Sequence, residues 1–260
     1  MKTDDPKTEE DDMKLCILTG ATGGLGREFC KLLKNEGFDR IWLVSRSAEK
    51  LSELASECGC AEAYPLDLQD RASIYAIAER LKAEQPEIKA LINNAGFGFL
   101  GDVADMPFET QADTVRLNCE ALTALTGVCL PYMKEGSYII NVCSIASFAP
   151  NTRMTTYSAT KAYVSAFNAG LRAELKKRKI NALAVNPGPM DTKFLTLGNI
   201  KGNSRTFETL PYCDPAKVAA GALRAAKKGR GNYTPRFFFK FYRVVAKVLP
   251  RSLVMKMAKT

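Results

Sequence analysis

Residues 14–19, KLCILT, form an apolar run that passes directly into Thr19-Gly20-Ala21-Thr22-Gly23-Gly24-Leu25-Gly26 and then into a helical pattern over 25–35. A glycine-rich turn between a strand and a helix lets the backbone approach a phosphate, while the helix start supplies N–H donors and the positive end of its dipole. The same glycines would also suit tight packing alone. Their place after the first strand favours the phosphate cradle. A chain that starts this way is constrained to alternate strands and helices, because parallel strands need a crossover, usually a helix, between them.

The alternation continues. Strands are predicted at 40–44, 61–66, 89–92, 137–142 and 180–185, with helices at 48–57, 71–83, 108–133, 156–177 and 215–228. The segments ILTG, LINN, IINVCS and LAVNP are nearly continuous in apolar residues, as in strands covered on both faces. The pattern predicts an α/β fold: one domain over 13–230, built as a Rossmann-type doubly wound parallel sheet in three layers. Residues 1–12 are acidic, aperiodic and carry Pro6, and read as a disordered leader; residues 231–260 read as a basic tail.

Composition removes several chemistries. The 260 residues include no His, which excludes Ser-His-Asp hydrolysis and His-ligated zinc, and no metal site is expected. The eight Cys form no CxxC and read as reduced core residues, with Cys58 and Cys60 the first candidates for an exception as exposed thiols. No run approaches the roughly 20 apolar residues that cross a bilayer, and the first twelve residues lack the apolar segment of a secretory signal. A cytoplasmic location is expected, with peripheral membrane attachment left open. The net charge of +9 is uneven: 1–12 carry −4, whereas 224–260 carry eleven Lys or Arg and no acid. Basic residues confined to a tail, without a reading motif, argue against a nucleic-acid partner.

Two features point to chemistry. The second strand ends in Val44-Ser45-Arg46-Ser47, where an NAD site usually places an acid on the ribose 2′-hydroxyl. Arg46 suits a 2′-phosphate instead, so NADP(H) is preferred and NAD(H) is the alternative; the bland reading is an exposed Arg at a helix start. Tyr157 and Lys161 start a predicted helix, and their spacing of four puts phenol and ammonium on one face. A cation beside a phenol favours the phenolate and makes it a better proton exchanger, although most such pairs are only a solvated face.

These residues resemble the short-chain dehydrogenase/reductases. The resemblance rests on Thr19, Gly20, Gly24 and Gly26 of the turn, Asp67 after the third strand, Asn93-Asn94-Ala95-Gly96, Ser144, Tyr157-x-x-x-Lys161 and Pro187-Gly188, in the family's order over about 13–230. It implies that Tyr157 donates a proton to a carbonyl oxygen, that Ser144 polarises that oxygen, and that Lys161 lowers the phenol's pKa and binds the nicotinamide ribose. Asn118 would anchor a water on a relay to solvent. The cofactor would run along Thr19, Gly20, Thr22, Gly23, Gly24, Leu25 and Gly26. Ser45 and Arg46 would meet the ribose end, and Asp67 and Leu68 the adenine. Asn94, Ala95 and Gly96 would line the channel, with Pro187, Gly188 and Thr192 at the carboxamide. Asp67 could equally be a helix cap, and Pro187-Gly188 an ordinary turn. Family members that prefer NADP often carry a basic residue just before the central glycine; here Gly23 stands there, so the grip falls chiefly on Arg46.

The substrate pocket is expected from 97–100, 145–149 and 193–213, mostly apolar segments that suit a lipophilic ketone or alcohol such as a 3-oxoacyl chain or a steroid. The tail segment RFFFKFYRVVAKVL, 236–249, reads as a basic amphipathic helix. It would lie on an anionic membrane or pack against protein, the second being favoured. The expected protein is thus an NADP(H)-dependent oxidoreductase interconverting a ketone and a secondary alcohol, as a homodimer or homotetramer. The alternative is a non-catalytic NADPH-binding sensor or scaffold of the same fold.

Overall fold

The structure is a computed structural model that describes residues 13–257, apart from the side chains of Arg205 and Met257; the leader expected over 1–12 lies outside the described residues. Seven parallel strands form one sheet in the order β3-β2-β1-β4-β5-β6-β7. They are β1 (Lys14–Thr19), β2 (Arg40–Ser45), β3 (Ala61–Pro65), β4 (Glu87–Asn93), β5 (Tyr138–Val142), β6 (Asn181–Val185) and β7 (Asn232–Tyr233). Side chains alternate across the sheet, so one apolar run feeds two cores. Cys16 and Leu18 of β1 face the layer of α1 (Gly24–Leu33), α2 (Ala48–Ser56) and α9 (Pro215–Lys227). Leu15 and Ile17 face α3 (Arg71–Glu84), α5 (Leu122–Cys129) and α6 (Thr155–Glu174). This is the doubly wound three-layer fold that the pattern predicts.

Capping residues set the helix starts. Ser47, Asp70 and Asp214 accept backbone N–H bonds ahead of α2, α3 and α9, and Pro215 occupies the first turn of α9, where its missing N–H costs nothing. Strand order reverses between β1 and β4, which opens a crevice at their carboxyl ends, the usual ligand position in such sheets.

The helix predicted over 108–133 is divided. It comprises α4 (Phe108–Val115), a π-helical turn (Arg116–Ala121), α5 and a 3₁₀ turn (Leu130–Tyr132) that contains Pro131. Short α7 (Lys193–Leu197) and α8 (Arg205–Thr209) lie between β6 and α9. Cys58 is buried and is not an exposed thiol, because it packs with Cys30 under the turn between α2 and β3; Cys60 is half-buried.

The sheet also continues past residue 230, since β7 pairs with β6. Beyond it lie α10 (Phe237–Val248) and α11 (Arg251–Met257). Phe239 is fully buried against Gly188, and the Tyr242 ring meets Phe148 at 5.9 Å between centroids. One side of the tail helix therefore packs on the domain.

Candidate active site

The crevice is held open by a tie between the ends of β1 and β4. Thr19 is buried, and its Oγ1 accepts from the backbone N–H groups of Asn94 and Ala95, both at 3.0 Å. Asn94 Nδ2 returns bonds to the carbonyls of Thr19 and Gly20, also at 3.0 Å. Gly20 has φ +61°, and a Cβ there would press on the Ala95 backbone at 2.9 Å, so glycine is required twice over. Gly26 lies so close to the carbonyls of Gly20 and Ala21 that α1 could not otherwise pack on the turn. Thr22 Oγ1 and Ser45 Oγ share a 2.7 Å hydrogen bond that joins the turn to β2.

A cavity of about 340 Å³ runs along this crevice. Of the residues expected at the cofactor, Gly20, Gly23, Gly24, Leu25, Ser45, Arg46, Asp67, Leu68, Asn94, Ala95, Gly96, Pro187, Gly188 and Thr192 line it, together with Ser144, Tyr157 and Lys161. Thr19, Thr22, Gly26 and Asn118 stand behind the wall as supports.

The electrostatics of the first end suit a phosphate-bearing dinucleotide. Gly23 caps α1 without a side chain, and no acid lies in the first turn, so the leading N–H groups have no competing carboxylate. Arg46 is exposed, and among the described residues no carboxylate pairs with it. Among the described residues the Asp67 carboxylate accepts only from the N–H of Gln69, at 3.0 Å, and the cap of α3 is Asp70; the helix-cap reading of Asp67 does not hold. Thr192 precedes α7 and lays its side chain over Gly24, while Pro187 accepts from the N–H of Ile145 at 3.0 Å.

At the other end, three elements converge. Ser144 follows β5, and its Oγ accepts from the N–H of Ala146 at 3.1 Å. Tyr157 and Lys161 sit one turn apart in α6 and both face the cavity, as their spacing predicts. Lys161 is buried; its Nζ donates to the Val142 carbonyl at 2.9 Å and lies 5.7 Å from the centre of the Tyr157 ring. The π-helical turn carries Asn118, whose Nδ2 donates to the Phe97 carbonyl at 2.8 Å and Thr160 Oγ1 at 3.0 Å. Its Oδ1 accepts from the Phe97 N–H at 3.1 Å.

Burial pushes the Tyr157 phenol above its ordinary range; Ser144 works against this and the Cys143 thiol adds to it. Burial likewise pushes Lys161 down, with Cys143 and Cys119 opposing. The depression of the phenol expected from Lys161 is not found: desolvation sets the direction, and Ser144 is the group that lowers it. Tyr157 stays protonated through neutral pH, the state that a proton donor needs.

The remaining wall is apolar. Phe97 and Phe99 meet edge to face at 5.5 Å, and Phe194 tilts against Tyr157 at 5.6 Å. Ile145, Met190, Leu195, Phe207 and Leu210 complete it. Asn151 was not singled out from sequence, and Gly98 only as part of the expected pocket segment 97–100. Gly98 lies flat on the Tyr157 ring, where a Cβ would collide with it. Asn151 lines the cavity, and its Oδ1 is buried without a hydrogen-bond partner among the described residues. The aromatic pair flanking Gly98 was the available signal for it; nothing in the sequence marked Asn151.

A glycine turn at the switch point of a parallel sheet, opposite half-buried Tyr157 and Ser144 and buried Lys161, defines a dinucleotide-linked oxidoreductase class. Residues 14–199 match the short chain dehydrogenase family, and the chain belongs to it. It is 32% identical over 257 residues to a very-long-chain 3-oxoacyl-CoA reductase of Anas platyrhynchos, covering 93% of this chain and 77% of that one. A protein named as a probable short-chain type dehydrogenase/reductase in Helicobacter pylori is 30% identical over 183 residues; the match spans 69% of this chain and 66%, just under two thirds, of that protein. A short-chain dehydrogenase of Sphingobium yanoikuyae, solved in complex with NADPH, superposes with TM-score 0.76 and 25% identity over 92% of this chain and 97% of the other.

Gly98→Val is expected to displace the Tyr157 ring. Its kcat should fall on the order of 10²-fold, as a displacement of about 1 Å at a reacting group can cause, with cofactor affinity nearly unchanged in a fluorescence titration.

Proposed function

We propose that this enzyme is an NADP(H)-preferring reductase that converts a lipophilic ketone, of 3-oxoacyl or steroid-like type, to a secondary alcohol. The observation that carries the reading is one cavity with an uncapped glycine turn and unpaired Arg46 at one end and Tyr157, Ser144 and Lys161 at the other. The named 3-oxoacyl-CoA reductase relative and the NADPH-bound neighbour support the same direction. NAD(H) is the second-choice cofactor.

In this reading α1's leading N–H groups hold the pyrophosphate, Arg46 pairs with the 2′-phosphate, and Asp67 and Leu68 flank the adenine. A bound nicotinamide supplies the hydride. The apolar wall of Phe97, Phe99, Phe194 and Phe207 holds the substrate's hydrocarbon and excludes water from the carbonyl. Ser144 donates to the carbonyl oxygen, and Tyr157 Oη delivers its proton there as negative charge develops. Lys161 stabilises the phenolate left behind, and Asn118 fixes the Phe97 backbone and α6 around it. Asn151, Lys193 and Thr206 are the polar residues of the lining near a hydroxyl or amide further along the substrate.

Eight free thiols, seven of them buried, suit a reducing cytoplasm, whether the protein is free there or at a membrane face. Exposed Phe108 and Val115 of α4 and Tyr163 of α6 support assembly of two or four copies.

Tyr157→Phe should lower NADPH-dependent reduction of 3-oxoacyl thioesters and steroid ketones by about 10²-fold or more and leave NADPH binding intact. Undiminished turnover would remove the proton-donor role. Arg46→Ala should weaken NADPH about tenfold and leave NADH nearly unaffected; equal losses for both would remove the 2′-phosphate contact.

A further inference from the structure

The tail helix α10 has two apolar sides, and the domain covers only one. Phe239, Tyr242 and Ala246 recur at helical spacing, with Phe239 buried in the core and Tyr242 against Phe148. Phe237, Phe241, Val244 and Val248 recur at intervals of four, three and four on the opposite side and are 82%, 61%, 59% and 75% exposed. At 3.6 residues per turn these four fall within about 60° of one another, pointing away from the domain. Lys240, Arg243 and Lys247 form a second row about 100° round the axis, and Arg236, Arg251 and Lys256 extend the charge at either end. No acid occurs in 224–260, and among the described residues none of these six cations pairs with a carboxylate.

A stripe of exposed aromatic and aliphatic residues would ordinarily be hidden by a partner. A second copy of the chain is a poor match, because an antiparallel two-fold contact through this face would set one cation row against the other. An anionic lipid surface meets both needs: the apolar side chains enter the headgroup–acyl boundary while the cations stay level with the phosphates. Among the described residues no helix is long and apolar enough to cross a membrane, so contact of this kind lies in the interface.

We propose that α10, continued by α11 through exposed Leu253, docks this protein onto an anionic bilayer with Phe237, Phe241, Val244 and Val248 inserted. Phe239, on the helix's other side, rests on Gly188, which lines the active-site cavity. Docking therefore brings the cavity wall within about one helix diameter, ~10 Å, of the lipid. A lipophilic substrate would then have a short path from the bilayer. The docking face itself stands whether or not the reductase assignment does.

The test is flotation of the full-length protein with vesicles of phosphatidylcholine alone and of phosphatidylcholine with phosphatidylglycerol, at low and high salt. Binding is expected on the anionic vesicles, weakened by salt and slight on the neutral ones. The pairs Phe241→Ser with Val248→Ser, and Lys240→Glu with Lys247→Glu, should each lower partition about tenfold or more. Both should leave thermal unfolding and NADPH binding unchanged, since none of the four side chains reaches the cavity or the core. Absence of wild-type binding, or full binding by both variants, would overturn the proposal. So would sedimentation showing that the serine variant splits an oligomer, because the stripe would then be a contact between copies.

Discussion

A lysine ammonium removed from water is costly unless something fixed replaces its hydration, and the reacting end of this protein is organised around that requirement. Lys161 is buried, and its ammonium donates to the Val142 carbonyl at the end of β5. That bond fixes the start of α6 against the sheet and so sets where Tyr157, one turn earlier, presents its phenol. The π-helical turn then closes the other side. Its extra residue lets Asn118 face inward, where it bonds the backbone of Phe97 and the side chain of Thr160, next to Lys161 in sequence. Three distant stretches of chain are thereby locked into one short region.

The same logic acts at the other end of the cavity. Thr19 and Asn94 join the carboxyl ends of β1 and β4 where strand order reverses, through hydrogen bonds made within the protein. Polar groups with little or no internal duty also face the crevice: the uncapped start of α1, Arg46, and the carboxylate of Asp67 beyond its one backbone bond.

Much of this was legible in the sequence. Apolar runs of strand length alternating with amphipathic stretches specify the sheet, because a strand buried on both faces has no polar positions to confuse the period. Gly20, Gly24 and Gly26 were legible from their place between the first strand and a helix, whereas Tyr157 and Lys161, whose spacing alone most often marks a solvated face, were legible through the resemblance to the family. The rest has physical reasons for its silence. A two-residue strand such as β7 shows no periodicity, and its pairing with β6 is a tertiary event. The five-residue helices α7 and α8 are too short to complete two turns. The π-helical turn leaves the apolar spacing of its neighbours almost intact, so 108–133 reads as one helix. Cys58 looks like a loop thiol until α2 and β3 close over it. The tail's helical period was evident, but which side would meet the domain depended on Gly188, whose lack of a side chain opens the slot that Phe239 fills.

The central claim is that a half-buried, protonated Tyr157 phenol gives up its proton to the substrate. Burial raises its pKa, so the donor form persists through neutral pH and is lost only as pH climbs through a value above the ordinary phenol range of about 10. The direct measurement is the pH dependence of kcat/KM for NADPH-dependent reduction, which reports groups titrating in the enzyme before substrate binds. A profile level through neutral pH and falling only in the alkaline range is the predicted result. A fall that begins below neutrality, or an unchanged alkaline fall in Tyr157→Phe, would contradict it.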